Sequence, residues 1–356
     1  MKERVPSGLE IRSKERLIWR AESHGYHRGV TTTLIVFPPP PTAEEMTFRT
    51  YRGYLEAVRM GISLLCPHAD GFLPGVATSV NNGTWRGPAT ARPLPDRAAQ
   101  YLRNAWATEV LLNAPRQVGG ADLITFANHW AVVQAYYAVF EALNAVVLVG
   151  GSTNPPRNHA AMLRWAAHQL GTAASPFPAP WTCRVTGPPG YGFEGFPTGW
   201  TRTQVSNIAN VTVLDCFDRI VQTLKTTRDH QIEERRPNWI SGLRTTTGAP
   251  RRNLPRRVLD ERAAAMAPTT LFDLLYRLRI RSNYQEADAF LRGALGSADA
   301  EAFHRALCDV VAATLLVIEI HVAYRVGADL LAAELDRVRV PAMFAEASAE
   351  ARRVLW

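Results

Sequence analysis

Two stretches of this chain are apolar enough to be tested as membrane spans, and polar residues interrupt both. Residues 124–150 contain His129, Gln134, Glu141 and Asn144, and residues 310–334 contain Glu319, His321 and Arg325. Neither offers the roughly 18 uninterrupted apolar residues that a bilayer demands. Each is nevertheless too apolar for a helix with one wet face. Both are therefore predicted to be central helices of a soluble bundle, and no membrane partner is expected.

Punctuation around these helices divides the rest of the chain. The start, MKERVPSGLEIRSKER, is charged with no apolar core behind it, which predicts no secretory signal. Cys66, Cys183, Cys216 and Cys308 form no C-x-x-C pair. Such scatter favours a reducing, cytoplasmic setting and argues against a cysteine-rich zinc site. TTTLIVF (residues 31–37) is the one good strand candidate, stopped by Pro38 to Pro41. Thr42 with Glu45 forms a capping box that opens a helix to about Leu65. Residues 66–95, rich in Gly, Pro and Asn, read as loop, and Asp96 opens a helix expected to stop near Leu112.

Four further helices follow: residues 121–149, ended by Gly150-Gly151; residues 157–170, with Gly171 as C-cap; one from Thr270 to about Leu295; and one from Ser297 to about Tyr324, with a shorter piece beyond Gly327. An insert, residues 172–268, separates the second from the third. Its first part holds Phe177, Trp181, Tyr191, Phe193, Phe196 and Trp200 among many Pro and Gly, and is expected to be irregular and packed on the bundle. Helical spacing returns from Thr203 to about Glu234. The expected organisation is an N-terminal extension (1–120), an all-α antiparallel bundle (121–171 and 269–340), the insert (172–268) and a C-terminal tail (341–356). No internal repeat is visible, which excludes solenoids.

Three motifs lie in order on these helices. Tyr136-Tyr137-Ala138-Val139-Phe140 lies on the first, His159 opens the second, and Arg279, Asn283 and Tyr284 lie on the third. In these the chain resembles the HEPN superfamily, whose nearest subgroup reads Y-Y-A-x-F, then Ser-His or Thr-His, then R-x-x-x-D-Y. The resemblance covers about 120 residues, and Asn283 stands where Asp is usual. It implies a small antiparallel helical bundle, frequently a dimer, in RNA-binding or RNA-cleaving proteins of toxin–antitoxin and antiviral systems. Its ribonuclease branch uses R-x4-6-H. Only Arg20 and His27 have that spacing, and they lie outside the bundle. A nucleic-acid-binding role without that nuclease pair is therefore expected first. A divergent metal-independent ribonuclease or nucleotide-modifying enzyme using Arg279, Asn283, Tyr284 and His159 is the alternative. A structural subunit that docks a partner through its basic loop is a third reading.

The third helix can be read geometrically as well. Phe272, Tyr276, Arg279, Asn283, Glu286 and Phe290 recur at steps of three and four and so share a face, while Leu271, Leu274, Leu275 and Leu278 form the core stripe. Arg279 on the mixed face either grips a phosphate bidentately or is buried and paired with Glu286 or Glu141. His159 lies in a first helical turn beside Arg157, a place that favours anions; it is either a phosphate ligand and acid–base group or a capping residue.

Net charge is +8, carried by 40 basic residues of which only Lys2, Lys14 and Lys225 are lysine. Arginine codons favoured by a GC-rich genome explain a scattered excess, but not the tract from Arg235 to Arg257, which holds seven arginines and no acid. Arg235, Arg236, Arg244, Arg251, Arg252, Arg256 and Arg257 are candidate phosphate ligands on an extended loop, with Trp239 available to stack on a base. RNA or DNA is the expected partner, together with a second copy or a protein encoded nearby. No metal or cofactor is expected: there is no Gly-rich phosphate loop, no G-x-S-x-G and no H-E-x-x-H.

Overall fold

In the computed structural model, α4 (Ala121–Val149) and α10 (Ser297–Val326), the two helices of membrane-span length and hydropathy, lie mostly buried against the rest of the chain. The structure describes residues 40–82, 92–170, 177–188, 190–200, 215–244, 247–249, 251–338 and 352–355. All but Pro40 belong to one unit, Pro41–Trp356. The strand expected at 31–37 and the Arg20/His27 pair lie outside the described residues, as do Gly171 and most of the tail.

Among the described residues, eleven helices and one small sheet make the fold all-α in class. The polar residues that break the two apolar runs are used inside the core. Asn128 of α4 donates to the Ala300 carbonyl (3.0 Å), and its side-chain oxygen lies 3.0 Å from the buried His304 ring. Glu319 of α10 accepts from the Trp106 indole of α3 (Asp96–Val118) at 3.0 Å. Hydrogen bonding of this kind is what lets polar groups enter an apolar helix pair.

α3 and α4 are joined only by Gly119-Gly120, so they form an antiparallel hairpin. α1 (Ala43–Leu65) opens on the expected capping box, with Glu45 N–H donating to Thr42 Oγ1 at 3.2 Å, and packs on α6 (Cys216–Ser241) and α10. α5 (His159–Gln169) lies across α4 and α8 (Leu271–Ile280). After α10, Gly327 turns the chain into α11 (Ala328–Asp336). The four cysteines are all buried and free.

Several expectations from the sequence are corrected. Residues 66–95 are not loop throughout, because α2 spans Phe72–Asn82, with Pro74 tolerated in its first turn and Val76, Ala77 and Val80 buried at helical spacing. Gly75 is needed there, since a Cβ would sit 2.0 Å from the Cys66 carbonyl oxygen. α3 continues past Asn113-Ala114-Pro115 to Val118. Pro115 costs one N–H bond near the helix end, on a side where Leu111 is exposed and water can replace the donor.

The aromatic-rich part of the insert is also more regular than expected. β1 (Arg184–Thr186) pairs antiparallel with β2 (Gly192–Glu194) and with β3 (Thr269–Thr270). Arg184 stands directly opposite Glu194, with its Nε 2.9 Å from the carboxylate. Gly187 makes the turn at φ +101°, where a Cβ would meet the Gly190 carbonyl at 2.0 Å. Finally, the third bundle helix is broken. α8 ends at Ile280, a π-turn occupies Arg281–Gln285, and α9 spans Ala287–Arg292. That extra-wide turn shifts the residues beyond it off the face carrying Arg279.

Candidate nucleic-acid interface

The basic tract is not one extended loop. Arg235, Arg236 and Trp239 belong to the last turns of α6, which runs through Pro237, while Pro255 N-caps α7 (Arg256–Ala264), so Arg256 and Arg257 open a helix. Helical spacing also supplies acids from just outside the tract. Arg236 pairs with Glu233 at 3.2 Å, Arg256 with Asp260 at 3.0 Å and Arg257 with Glu261 at 3.3 Å. Between the helices, Arg251 Nε donates to the Arg244 carbonyl (3.1 Å) and Arg244 Nη1 to that of Ser241 (3.2 Å), so the connection folds on itself. Arg252 is exposed.

Arg235 and Trp239 face a different feature, a cleft of about 470 Å³ between α5, α6, α7 and α8. Thr227, Gln231, Arg235 and Trp239 line it at steps of four along α6, a stripe about 18 Å long at 1.5 Å per residue. α8 and the π-turn contribute Asp273, Tyr276, Arg277 and Arg281; α5 contributes Leu163 and Arg164; Arg262 and the segment Ala265–Pro268 form the far wall. That wall is held by Arg228, which is fully buried and forms no ion pair among the described residues. Its Nε donates to the Gly187 carbonyl (2.9 Å) and its Nη2 to that of Ala263 (2.7 Å), while Nη1 reaches Ala267. One guanidinium thus ties α6 to the β-turn and to the chain leading into β3. β3 in turn delivers Thr270, whose capping box with Asp273 fixes the start of α8.

The electrostatics of the cleft are one-sided. Five arginines (164, 235, 262, 277 and 281) face it against two acids, Glu234 and Asp273. Burial raises the Asp273 pKa, and the carboxylate already accepts from Thr270 N (2.9 Å) and Gln231 Nε2 (2.8 Å). Only Arg281 has an ion-pair partner among the described residues: it binds Glu286 at 2.7 Å, whose carboxylate also accepts from Tyr51, and contacts the His230 ring at 2.9 Å. Burial, with Arg277 and Arg281 beside it, holds the His230 pKa below the usual histidine value. Arg277 donates to Thr227 Oγ1 (3.2 Å), and its buried Nε has no partner. Arg235 and Arg277 are partly buried, and guanidinium groups so placed without carboxylates are costly to maintain, whereas Arg164 and Arg262 are exposed; all four suit a phosphate-bearing ligand.

Beside the cleft, and sharing Tyr276 with it, lies an aromatic cluster that brings together His159 and Arg279. Asn158 caps α5 by accepting from Ala161 N at 2.9 Å, leaving His159 free to turn inward. Its Nδ1 lies 2.8 Å from the Tyr136 hydroxyl and its ring 4.6 Å from that of Phe140. Arg279 lies over Tyr137 (5.1 Å), Tyr136 (5.6 Å) and Tyr276 (5.7 Å) and donates to the Tyr137 hydroxyl at 3.1 Å. Such cation–π contacts are worth about 0.5–1 kcal/mol or more each when desolvated. The expected ion pairs are not formed. Glu286 is taken by Arg281 and Tyr51, and burial raises the pKa of Glu141, which is hydrogen-bonded to Asn104. Burial first, then the Arg279 charge, lowers the His159 pKa.

Asn283 and Tyr284 are not part of this cluster. The π-turn places them at a separate depression with Glu44, Glu286 and Asp288, where Tyr284 is 71% exposed. Among the described residues, no group of three His, Cys, Asp or Glu side chains could hold a metal. Sequence reasoning missed Arg164, His230, Arg262, Arg277 and Arg281. The i, i+4 spacing of Arg277 and Arg281 on one face was the available signal. Comparison of the chain with protein-family models, curated proteins and solved structures finds no match.

Proposed function

We propose that this protein binds single-stranded nucleic acid, with the arginine cleft as the principal contact. The observation that carries this reading is that Arg164, Arg235, Arg262 and Arg277 converge on one cleft with no carboxylate partner among the described residues, next to a half-buried tryptophan. Arginine supplies sequence-independent phosphate affinity, and an aromatic face accepts any base. At about 470 Å³ the cleft has the size of a small-ligand site, into which a duplex does not enter. The resemblance to the HEPN superfamily supports the same reading and suggests a bacterial defence or toxin–antitoxin setting, with a second copy or a neighbouring protein as partner. Fluorescence anisotropy with labelled single-stranded and duplex RNA and DNA at low salt tests it. Preferential single-strand binding, lost when Arg164, Arg235 and Arg262 are reversed to glutamate, is the expected result.

A second reading, a divergent ribonuclease, has one specific observation in its favour. His159 and Arg279, far apart in the chain, meet on the same tyrosine rings beside the cleft. A neutral histidine there suits general-base work on a 2′-hydroxyl. Incubating labelled RNA with the protein and with a His159→Ala variant, in chelator, separates the readings: cleavage by the parent alone would establish the enzyme.

A further inference from the structure

We infer that the cleft recognises the end of a strand, taking a terminal phosphate monoester at Arg277 while the adjoining nucleotides extend past Arg235 to Trp239. This rests on the nucleic-acid reading of the cleft and adds to it which part of the strand enters. The cleft has a direction. Asp273 meets Gln231 and Arg277 meets Thr227, so α8 runs antiparallel to α6, and the α6 stripe leads from Thr227 at one end to Trp239 at the other.

The two ends differ in chemistry. At the Trp239 end, Arg235 lies one helical turn away on the same face, and the exposed Glu234 dilutes the positive charge. At the Thr227 end, Arg277 is partly buried with an unpartnered Nε, and Arg281 bridges His230 on α6 to Glu286 beyond the π-turn. On this reading a strand entering past Trp239 ends against that bridge. A diester carries one negative charge, whereas a phosphate monoester carries about −1.5 to −2 near neutral pH and presents three acceptor oxygens. An uncompensated guanidinium in a poorly solvated end discriminates in favour of the doubly charged group.

Short single-stranded oligoribonucleotides bearing a 5′-phosphate, a 3′-phosphate or neither, each carrying a dye at an internal position, provide the test. Binding is followed by anisotropy, and nucleoside 5′- and 3′-monophosphates and inorganic phosphate serve as competitors. One of the two phosphorylated ends should bind about tenfold more tightly than the unphosphorylated strand, the gain expected of one additional charge-assisted contact. The matching monophosphate should compete better than inorganic phosphate. Arg277→Gln should bring the phosphorylated strand down to the affinity of the unphosphorylated one, with circular dichroism confirming the fold. If the parent protein binds all three strands equally, end recognition is wrong and single-strand binding stands. Binding of none of them removes both. The comparison on the parent protein decides the matter even where Arg277→Gln does not fold.

Discussion

Arg352 presents the most demanding test of the packing. It lies in a short C-terminal piece, fully buried, between Glu109 of α3 and Glu319 of α10, which are themselves buried. Its Nη2 reaches Glu109 Oε2 at 2.9 Å and Glu319 Oε1 at 2.6 Å, and its Nε lies 3.2 Å from Glu319 Oε2. Burial alone would lower the arginine pKa, but the two carboxylates outweigh it and raise it. Burial likewise raises the Glu109 pKa against the opposing pull of Arg352. Arg352→Met removes the cation and leaves two carboxylates facing each other in the core. Breaking a buried pair in this way costs about 3–5 kcal/mol. For a unit of this size each kcal/mol moves Tm by roughly 1–2 °C, so a fall of about 3–10 °C is expected at pH 7 in a calorimetric melt. The deficit should shrink as the pH is lowered, because an orphaned carboxylate takes up a proton more readily in the fold than in the unfolded chain. Replacing all three charges by apolar residues should recover most of the loss. An Arg352→Met protein that melts within 1 °C or so of the parent would refute the buried triad.

Other expectations follow from single contacts. Thr270→Ala removes the capping oxygen at the start of α8 and should cost about 1 kcal/mol in urea unfolding, with an unchanged midpoint counting against the capping box. Burial pushes His321 down to about 3. It therefore costs nothing above the usual histidine range, and stability should decline as pH falls below about 6.5; His321→Phe should flatten that decline. Arg279→Met should raise the His159 pKa, read by NMR titration, because the Arg279 charge helps to lower it. Tyr136→Phe removes a 2.8 Å contact to His159 and should cost about 1 kcal/mol.

The bundle was legible in the sequence wherever one signal dominated. Thr42/Glu45 and Thr270 marked helix starts, and Gly150 and Gly327 marked ends. The errors came from punctuation that tertiary contacts override. Pro74, Pro115 and Pro237 sit inside helices because each lies close to an end or in a turn that tolerates it. The site was half legible. A family motif singled out Arg279 and His159, which do meet, but nothing local announces the π-turn that diverts Asn283 and Tyr284. The arginine tract misled because acid exclusion was counted along the chain, whereas helices pair residues three and four apart, and Glu233, Asp260 and Glu261 stand just outside it. Arg164 and Arg262 are unremarkable in sequence and join Arg235 and Arg277 only where four elements meet around one cleft.

The salt dependence of single-stranded RNA binding tests the arginine cleft most directly. Plotted as log Kd against log salt, the Arg164→Glu/Arg235→Glu/Arg262→Glu protein should show a slope lower than the parent's by about 2, since each phosphate contact to a single strand contributes roughly 0.7. Parallel lines for the two proteins, with equal affinities at low salt, would contradict the cleft as the nucleic-acid interface.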